Sequence, residues 1–303
     1  MNALASFIMR GRSQAILVIT ALTILSWLLS LASLLAAAAV ALPTLRRGAR
    51  EGGLLVLGAL PIVALAGQMV MDNALQAGGY ALALWAPMLL VAMVLRETAS
   101  LSAAVLSALG LGLAVVVGFH LVLADPAGFW DAALQQAIKP VLEQRGAAVD
   151  EAMVRQTLQL FSRYATGAIA AGSVLTVLIS LLLARWWQAM LYNPGGFRTE
   201  FLQLRLPVTL AWAFLVLVLA VGLAGGSVAG FTANILMPML MAYLLAGFSV
   251  IHALCSKSAS GRFWLAGIYV GLMFIAPLIL VIAILGWSDS WFNWRQRLLR
   301  GAT

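Results

Sequence analysis

The chain has 303 residues, of which 63% are hydrophobic and only 9% are charged, and its net charge is +8. Soluble domains carry about 25% charged residues, so this composition excludes a soluble globular protein. The basic residues are spread over short loops and form no folded basic domain, which argues against nucleic-acid binding. The single cysteine, Cys255, excludes an internal disulfide.

Eight apolar runs follow one another along the chain. They lie at 14–45, 53–71, 80–95, 101–124, 165–184, 206–224, 229–254 and 263–287. About 20 apolar residues wound as a helix match the hydrocarbon core of a bilayer. The runs are apolar on all faces, whereas barrel strands would alternate. We therefore predict an all-α, polytopic transmembrane helix bundle of eight to nine spans, with residues 1–303 forming a single integral membrane domain.

The first run has basic residues at both ends. Arg12 precedes it and Arg46 follows it. A single helix would place one basic end outside, whereas two short helices that turn between Ser26 and Ser33 would keep both ends inside. We favour the hairpin, which gives nine spans; the single helix gives eight.

Along the rest of the chain, gaps that contain lysine or arginine alternate with gaps that contain neither. Gaps with basic residues are 46–50, 96, 185–205 and 257–262, and gaps without them are 72–79 and 225–230. Short loops rich in Lys and Arg stay in the cytoplasm. The pattern predicts a multi-pass protein of the bacterial inner (cytoplasmic) membrane, in contact with membrane lipid.

Three polar residues form a stripe at the outer end of the second run. Gln68, Asp72 and Gln76 are spaced i, i+4, i+8, which places them on one face of a continuous helix. Polar side chains within spans are costly and are candidates for function. The alternative is an ordinary helix end at headgroup depth.

His120 and Asn234 lie near the outer ends of two further runs. With the stripe, they are the predicted substrate-binding residues of an outward-facing pocket: Gln68, Asp72, Gln76, His120 and Asn234. A lone histidine is also often a packing residue. No His, Cys and carboxylate spacing builds a metal site, and we predict no metal and no cofactor.

The region 125–164 is the only sizeable non-membrane segment. Residues 150–164 read as an amphipathic helix on the outer face, and a shorter helix at 131–144, interrupted by Pro140, precedes it. A solvated cap without a ligand role is the competing interpretation.

The segment 185–206 is a polar cytoplasmic loop at the membrane interface. An arginine beside two tryptophans is typical of an interfacial anchor, and Asn-Pro-Gly-Gly predicts a turn. Together with the 46–50 gap, this loop supplies the predicted partner-binding residues: Arg46, Arg47, Arg185, Trp186, Trp187, Asn193, Gly195 and Gly196. A simple anchored loop is the alternative.

The last run leaves residues 288–303 on the outer side, although three arginines lie there. This placement conflicts with the positive-inside tendency. The aromatic residues at 287–294 suit an interfacial segment, because amphipathic rings prefer headgroup depth.

Three segments, at 45–52, 185–201 and 286–295, resemble the YybS-like family of bacterial membrane proteins, a domain of unknown function. That family is distantly similar to the substrate-binding S-components of energy-coupling-factor vitamin transporters. The resemblance implies an outward-opening ligand pocket and a Gly-flanked cytoplasmic turn after the second helix. Gly48 and Gly52-Gly53 fit such a turn and favour the initial hairpin, whereas the additional helices depart from the usual six.

We expect no enzyme, because no nucleophile elbow, HExxH, Walker A or close carboxylate pair occurs. The first hypothesis is an S-component-like transport or small-molecule-binding protein of the inner membrane that lacks its own nucleotide-binding motif. The second is a non-transporting scaffold, assembly factor or accessory subunit that binds a membrane or cytoplasmic protein partner. A lipid-handling enzyme or flippase is third.

Overall fold

The structure is a computed structural model that describes residues 2–145 and 151–300. Within these residues the chain forms fourteen helices and no strand. In chain order they are α1 (Asn2–Arg10), α2 (Arg12–Leu25), α3 (Ala32–Arg47), α4 (Ala49–Met71), α5 (Ala74–Thr98), α6 (Leu101–Val122), α7 (Pro126–Arg145), α8 (Glu151–Tyr192), α9 (Gly196–Leu202), α10 (Val208–Leu223), α11 (Gly226–Cys255), α12 (Gly261–Phe274), α13 (Leu278–Phe292) and α14 (Trp294–Arg300).

Five helices, α4, α5, α6, α8 and α11, are long and apolar enough to cross a membrane by length and composition. Four further apolar helices, α2, α10, α12 and α13, have 14 to 16 residues. Large apolar side chains such as Leu57, Val216 and Phe274 are more than 60% exposed. Exposed apolar surface on this scale requires lipid around it. The predicted helical membrane class is confirmed.

The first apolar run forms two helices, as the hairpin interpretation predicted. The chain turns between α2 and α3, and the hydroxyls of Ser26 and Tyr80 lie 2.9 Å apart beside that turn. Residues 36–42 of α3 are at most 1% exposed. Four consecutive alanines, 36–39, let neighbouring helices approach α3 closely, which explains its central position.

Most basic side chains lie at one end of the bundle, which we call the basic face. Contacts join its loops directly: Arg47 donates to the Met9 carbonyl at 2.9 Å, and Arg96 donates to the Leu45 carbonyl at 2.8 Å. Only four of the 18 lysines and arginines belong to other parts, namely α7 and the first part of α8. A cytoplasmic face is the one that the positive-inside rule expects to be basic. We call the opposite end the distal face.

Helix α8 has 42 residues and is about 63 Å long, twice the hydrocarbon thickness. Its first part therefore extends beyond the bilayer on the distal side, where it packs against α7. The predicted helical segment at 125–164 is present, but it is continuous with the membrane helix. Helix α7 runs through Pro140 without the predicted interruption. Residues 146–150 lie outside the described residues.

The last apolar run is also two helices, which the sequence analysis did not predict. Helix α12 ends at Phe274 and α13 begins at Leu278. Pro277 has no N–H for a continuing helix and disfavours the helical conformation of Ala276. The chain reverses there and returns toward the basic face.

Two hydrogen bonds place the described end of the chain. Arg295 donates to the Leu202 carbonyl at 2.6 Å, and Arg205 donates to the Ser290 carbonyl at 2.9 Å. Residues 289–297 therefore lie at the basic face. The expectation that 288–303 lie on the outer side is wrong for the part the structure describes, because the break before Pro277 adds a reversal. The arginines of this segment then agree with the positive-inside tendency.

Helices α11 and α13 cross in close contact at two glycines. A Cβ on Gly247 would lie 1.9 Å from the Ile282 carbonyl oxygen, and one on Gly286 would lie 2.2 Å from the Tyr243 carbonyl oxygen. Only glycine permits this backbone approach. The crossing attaches the C-terminal hairpin to the bundle.

Candidate functional site

A cavity of about 630 Å³ opens at the distal face between α6, α8 and α11. Its polar lining includes His120, Arg163, Tyr164, Ser227 and Asn234. Two of the five predicted substrate-binding residues, His120 and Asn234, are therefore brought together. A concave site with a few convergent polar groups is the usual form of a small-molecule pocket.

His120 is held by its own helix. Its Nδ1 lies 2.8 Å from the Val116 carbonyl oxygen, and its ring packs edge-on against Phe231 with centroids 4.8 Å apart. Because a carbonyl can only accept, Nδ1 is the donor in this contact, and Nε2 is the ring nitrogen left for a ligand. Within the described part of the chain, Nε2 has no hydrogen-bond partner.

Asn234 has a different role, because its amide bonds are already used. It is 1% exposed; Oδ1 accepts from Gly167 N at 2.5 Å, and Nδ2 donates to the carbonyls of Arg163 and Gly230 at 2.8 Å. The Gly167 N–H and the Arg163 carbonyl are the groups that an unbroken helix pairs with each other. The amide therefore inserts into the backbone ladder of α8. Asn234 joins α8 to α11 and forms a wall of the cavity.

Three other lining side chains have free bonding capacity. Among the described residues, the Arg163 guanidinium and the hydroxyls of Tyr164 and Ser227 have no side-chain hydrogen-bond partner. Asp125 also lines the cavity, and its Oδ1 accepts from Gly128 N at 3.0 Å at the start of α7. The uncommitted groups comprise a cation, two hydroxyls, an imidazole nitrogen and the second carboxylate oxygen of Asp125. The guanidinium and the hydroxyls suit a small polar solute with an anionic group.

Arg163, Tyr164 and Ser227 were missed by the sequence analysis. A signal for Arg163 existed, because this arginine directly precedes the apolar run at 165–184. Its placement beside α11 depends on the tertiary fold. No local pattern marked Ser227.

The remaining three predicted residues lie elsewhere. Helix α4 ends before Asp72, whose φ is 52°, so Gln76 belongs to the next helix and the predicted stripe is not continuous. Gln68 Nε2 donates to Asp72 Oδ1 at 2.6 Å, and the Gln76 N–H donates to Asn73 Oδ1 at 2.9 Å. Gln68, Asp72 and Gln76 are exposed and do not line the described distal cavity. Their contacts are those of a turn between two helices.

The two predicted partner-binding segments meet at the basic face. The Arg46 guanidinium lies over the Tyr192 ring, 4.4 Å from its centroid, which joins the end of α3 to the end of α8. Arg185 forms an ion pair with Glu200, with Nε donating to Oε2 at 2.8 Å. A cavity of about 420 Å³ lies between these segments, and Arg96, Arg185 and Glu200 are among its lining residues.

The two tryptophans of the 185–206 loop have different environments. Trp187 is completely buried, whereas Trp186 is 39% exposed. Gly195 has φ of 91°, so the Asn-Pro-Gly-Gly turn requires a glycine at this position. A Cβ on Gly196 would displace only the flexible Asn193 side chain. Trp187 is a core residue and is not available for direct contact with a partner.

The sequence matches the family described as Predicted membrane protein (DUF2232) over residues 14–290, and the chain belongs to that family. No curated protein and no solved structure matches the chain.

Proposed function

We propose that this family member captures a small polar solute that carries an anionic group in its distal cavity. The observation that carries the proposal is the convergence of His120, Arg163, Tyr164 and Ser227 on one space of about 630 Å³. Their free hydrogen-bonding capacity distinguishes this cavity from the turn at Asp72.

The chemistry of the lining favours an organic anion. A guanidinium binds a carboxylate or phosphate through two parallel N–H donors. Hydroxyl groups and the imidazole Nε2 add contacts to a solute that has donors as well. The cavity lies between helices, and the ring of Phe231 beside His120 supplies an apolar wall.

The proposed role is that of an S-component-like capture protein in the bacterial inner membrane. The distal cavity receives the solute, and the basic face meets a partner or responds to a gradient that supplies energy. The chain has no nucleotide-binding motif of its own. We propose no enzymatic step, because the lining residues include no nucleophile activated by a neighbouring base.

A protein-docking role at the basic face is the second candidate. It is favoured by the cavity of about 420 Å³ between the ends of α3, α5 and α8. Deleting residues 185–206 would not test it, because Arg185 and the Leu202 carbonyl take part in structural contacts. Glu97→Lys and Gln188→Glu are better variants, because both residues line this cavity and neither side chain bonds to another segment of the described chain. Loss of a copurifying protein from both variants would support docking.

The capture role is tested with purified protein and a panel of small carboxylic acids and phosphate esters, with thermal stabilisation as the readout. We expect at least one compound to stabilise the wild-type protein. Arg163→Gln should weaken its binding about 10- to 100-fold, since it loses a hydrogen bond to a charged group worth about 1.5–3 kcal/mol. His120→Ala should weaken its binding about 2- to 10-fold, since it loses a hydrogen bond worth about 0.5–1.5 kcal/mol.

Asp72→Asn is the matched control, because Asp72 is distal but does not line the described cavity. Its binding should equal that of the wild type. Equal losses of ligand affinity in Asp72→Asn and Arg163→Gln would contradict the proposal. So would a panel in which no compound stabilises the wild-type protein.

A further inference from the structure

A second group of cations surrounds a cavity at the basic face, at the opposite end of α11 from the distal cavity. The cavity has a volume of about 530 Å³, and its lining includes Arg205, Lys257 and Arg295. The side chains of Gln203, Asn293, Gln296 and Ser256 also line it. The lining thus combines three cations with several neutral hydrogen-bonding groups.

The arginines of this cavity are held in place by backbone carbonyls. Arg295 is 11% exposed at its side chain and donates to the carbonyls of Leu202 and Leu204 at 2.6 and 2.5 Å. Arg205 donates to the Ser290 carbonyl at 2.9 Å. Neutral carbonyls fix the guanidinium groups without cancelling their charge.

One carboxylate balances only part of this charge. Asp289 Oδ2 lies 3.1 Å from Arg295 Nη2 and is the only acidic partner of these cations among the described residues. Lys257 is exposed, and within the described chain it has no ion-pair partner. Burial lowers the pKa of Arg295, while the Asp289 charge opposes that shift. The cavity therefore keeps a net positive charge.

A smaller cavity of about 400 Å³ adjoins the first. It shares Arg205, Asn293 and Gln296 with it and adds Arg297 and Trp291. Trp291 packs edge-on against Trp212 of α10, 5.2 Å between centroids, and Trp212 is 55% exposed. Exposed tryptophans of this kind mark the level of the lipid headgroups.

We propose that the cavity formed by Arg205, Lys257 and Arg295 binds a phosphoryl anion at the basic face. Two sources share this chemistry, the headgroup of an anionic phospholipid and a free phosphate. Basic pockets between membrane helices on the cytoplasmic side recognise lipid phosphates through the same groups. The neighbouring aromatic residues favour the lipid, because its acyl chains would lie along α10 beside Trp212.

The test uses full-length protein in detergent and native mass spectrometry. The probes are phosphatidylglycerol, phosphatidylcholine and inorganic phosphate. Wild-type protein should retain phosphatidylglycerol in preference to phosphatidylcholine. Arg205→Gln and Lys257→Gln should each weaken retention about fivefold, the factor for one basic group near a lipid headgroup.

Arg262→Gln is the matched control, since it removes one exposed charge from the same face without lining the cavity. It should retain phosphatidylglycerol as the wild type does. Displacement of the lipid by millimolar inorganic phosphate would identify the phosphoryl group itself as the ligand. If phosphate does not displace phosphatidylglycerol, and Arg205→Gln and Lys257→Gln both retain less of it, the ligand is the lipid headgroup. Equal retention by Arg205→Gln, Lys257→Gln and Arg262→Gln would overturn the proposal, and the distal capture site would be unaffected.

Discussion

The basic face and the distal face use their polar side chains in opposite ways. At the basic face, Arg47, Arg96 and Arg295 donate to main-chain carbonyls of other segments, and Arg185 pairs with Glu200. At the distal cavity, several polar groups have no protein partner among the described residues. The comparison indicates that most arginines of the basic face hold segments of the chain together, with the cavity around Lys257 as the exception, whereas several polar groups of the distal cavity are left without a protein partner.

Asn234 differs from the other polar residues of the distal cavity. Asn234 lines the same cavity as His120, yet its amide makes three hydrogen bonds to α8 and α11. One residue fixes the shape of the cavity and the other is free to bind. Substitutions should therefore separate stability from ligand binding at adjacent positions.

The largest effect is expected at the crossing of α11 and α13. Gly247→Ala would place a Cβ 1.9 Å from the Ile282 carbonyl oxygen, so the hairpin must move. We expect a loss of about 3 kcal/mol in the free energy of unfolding, measured by denaturant titration in detergent.

Gly267→Ala is the control for this change, since a Cβ there meets no atom within 4 Å. It should keep or raise stability, by up to about 1 kcal/mol, because alanine favours the helix. Similar stabilities for the two variants would refute the close crossing.

The next effect concerns Asn234. Asn234→Ala removes the bridge between α8 and α11 and should lower the free energy of unfolding by about 2 kcal/mol. Asn234→Asp should lower it more at neutral pH, because a carboxylate would face the carbonyls of Arg163 and Gly230. Thermal unfolding of both variants measures this order, and an aspartate variant as stable as wild type would exclude the bridging role.

Two ion pairs of the basic face should differ in their coupling energies, which is a smaller effect. The side chains of Arg185 and Glu200 are 12% and 33% exposed, whereas Arg12, paired with Glu51, is 61% exposed. Double-mutant cycles with glutamine substitutions should give a coupling of about 1.5 kcal/mol for the first pair, in the range of hydrogen bonds to charged groups. The second should give a smaller coupling, because water and salt screen exposed pairs. The reverse order would show that exposure does not govern these pairs.

The smallest effect on stability is expected at His120. His120→Ala should lower the free energy of unfolding by about 1 kcal/mol, because the ring makes one hydrogen bond, to its own helix, and one edge-on contact with Phe231. A circular-dichroism melt measures this change. A loss as large as that of Asn234→Ala would identify His120 as a structural residue.

The two hairpins show what the sequence could and could not predict. Basic residues at both ends marked α2 and α3 as a hairpin, and the structure has the turn at the expected place. The basic residues after α13 indicate the second hairpin in the same way, but with a single final span they conflict with the positive-inside tendency. The break at Ala276-Pro277 was the missing local signal.

The candidate site could be predicted only in part. Charge alternation placed His120 and Asn234 at the same face, and the cavity contains both. It also predicted that Asp72 lies at this face, but loop charges do not determine which helices are neighbours in the bundle. That order depends on which helices present small residues, such as Gly167 against Asn234.

The membrane side on which the C-terminus lies is the most direct test of the two faces, because the helices α10 to α13 run alternately between them. The measurement compares a fluorescent-protein fusion with an alkaline-phosphatase fusion, each joined after Thr303, and repeats the pair at Gly225 in the distal turn. We expect fluorescence and no phosphatase activity after Thr303, and the reverse at Gly225. Phosphatase activity after Thr303 would place this segment opposite the basic face and contradict the assignment of the two faces.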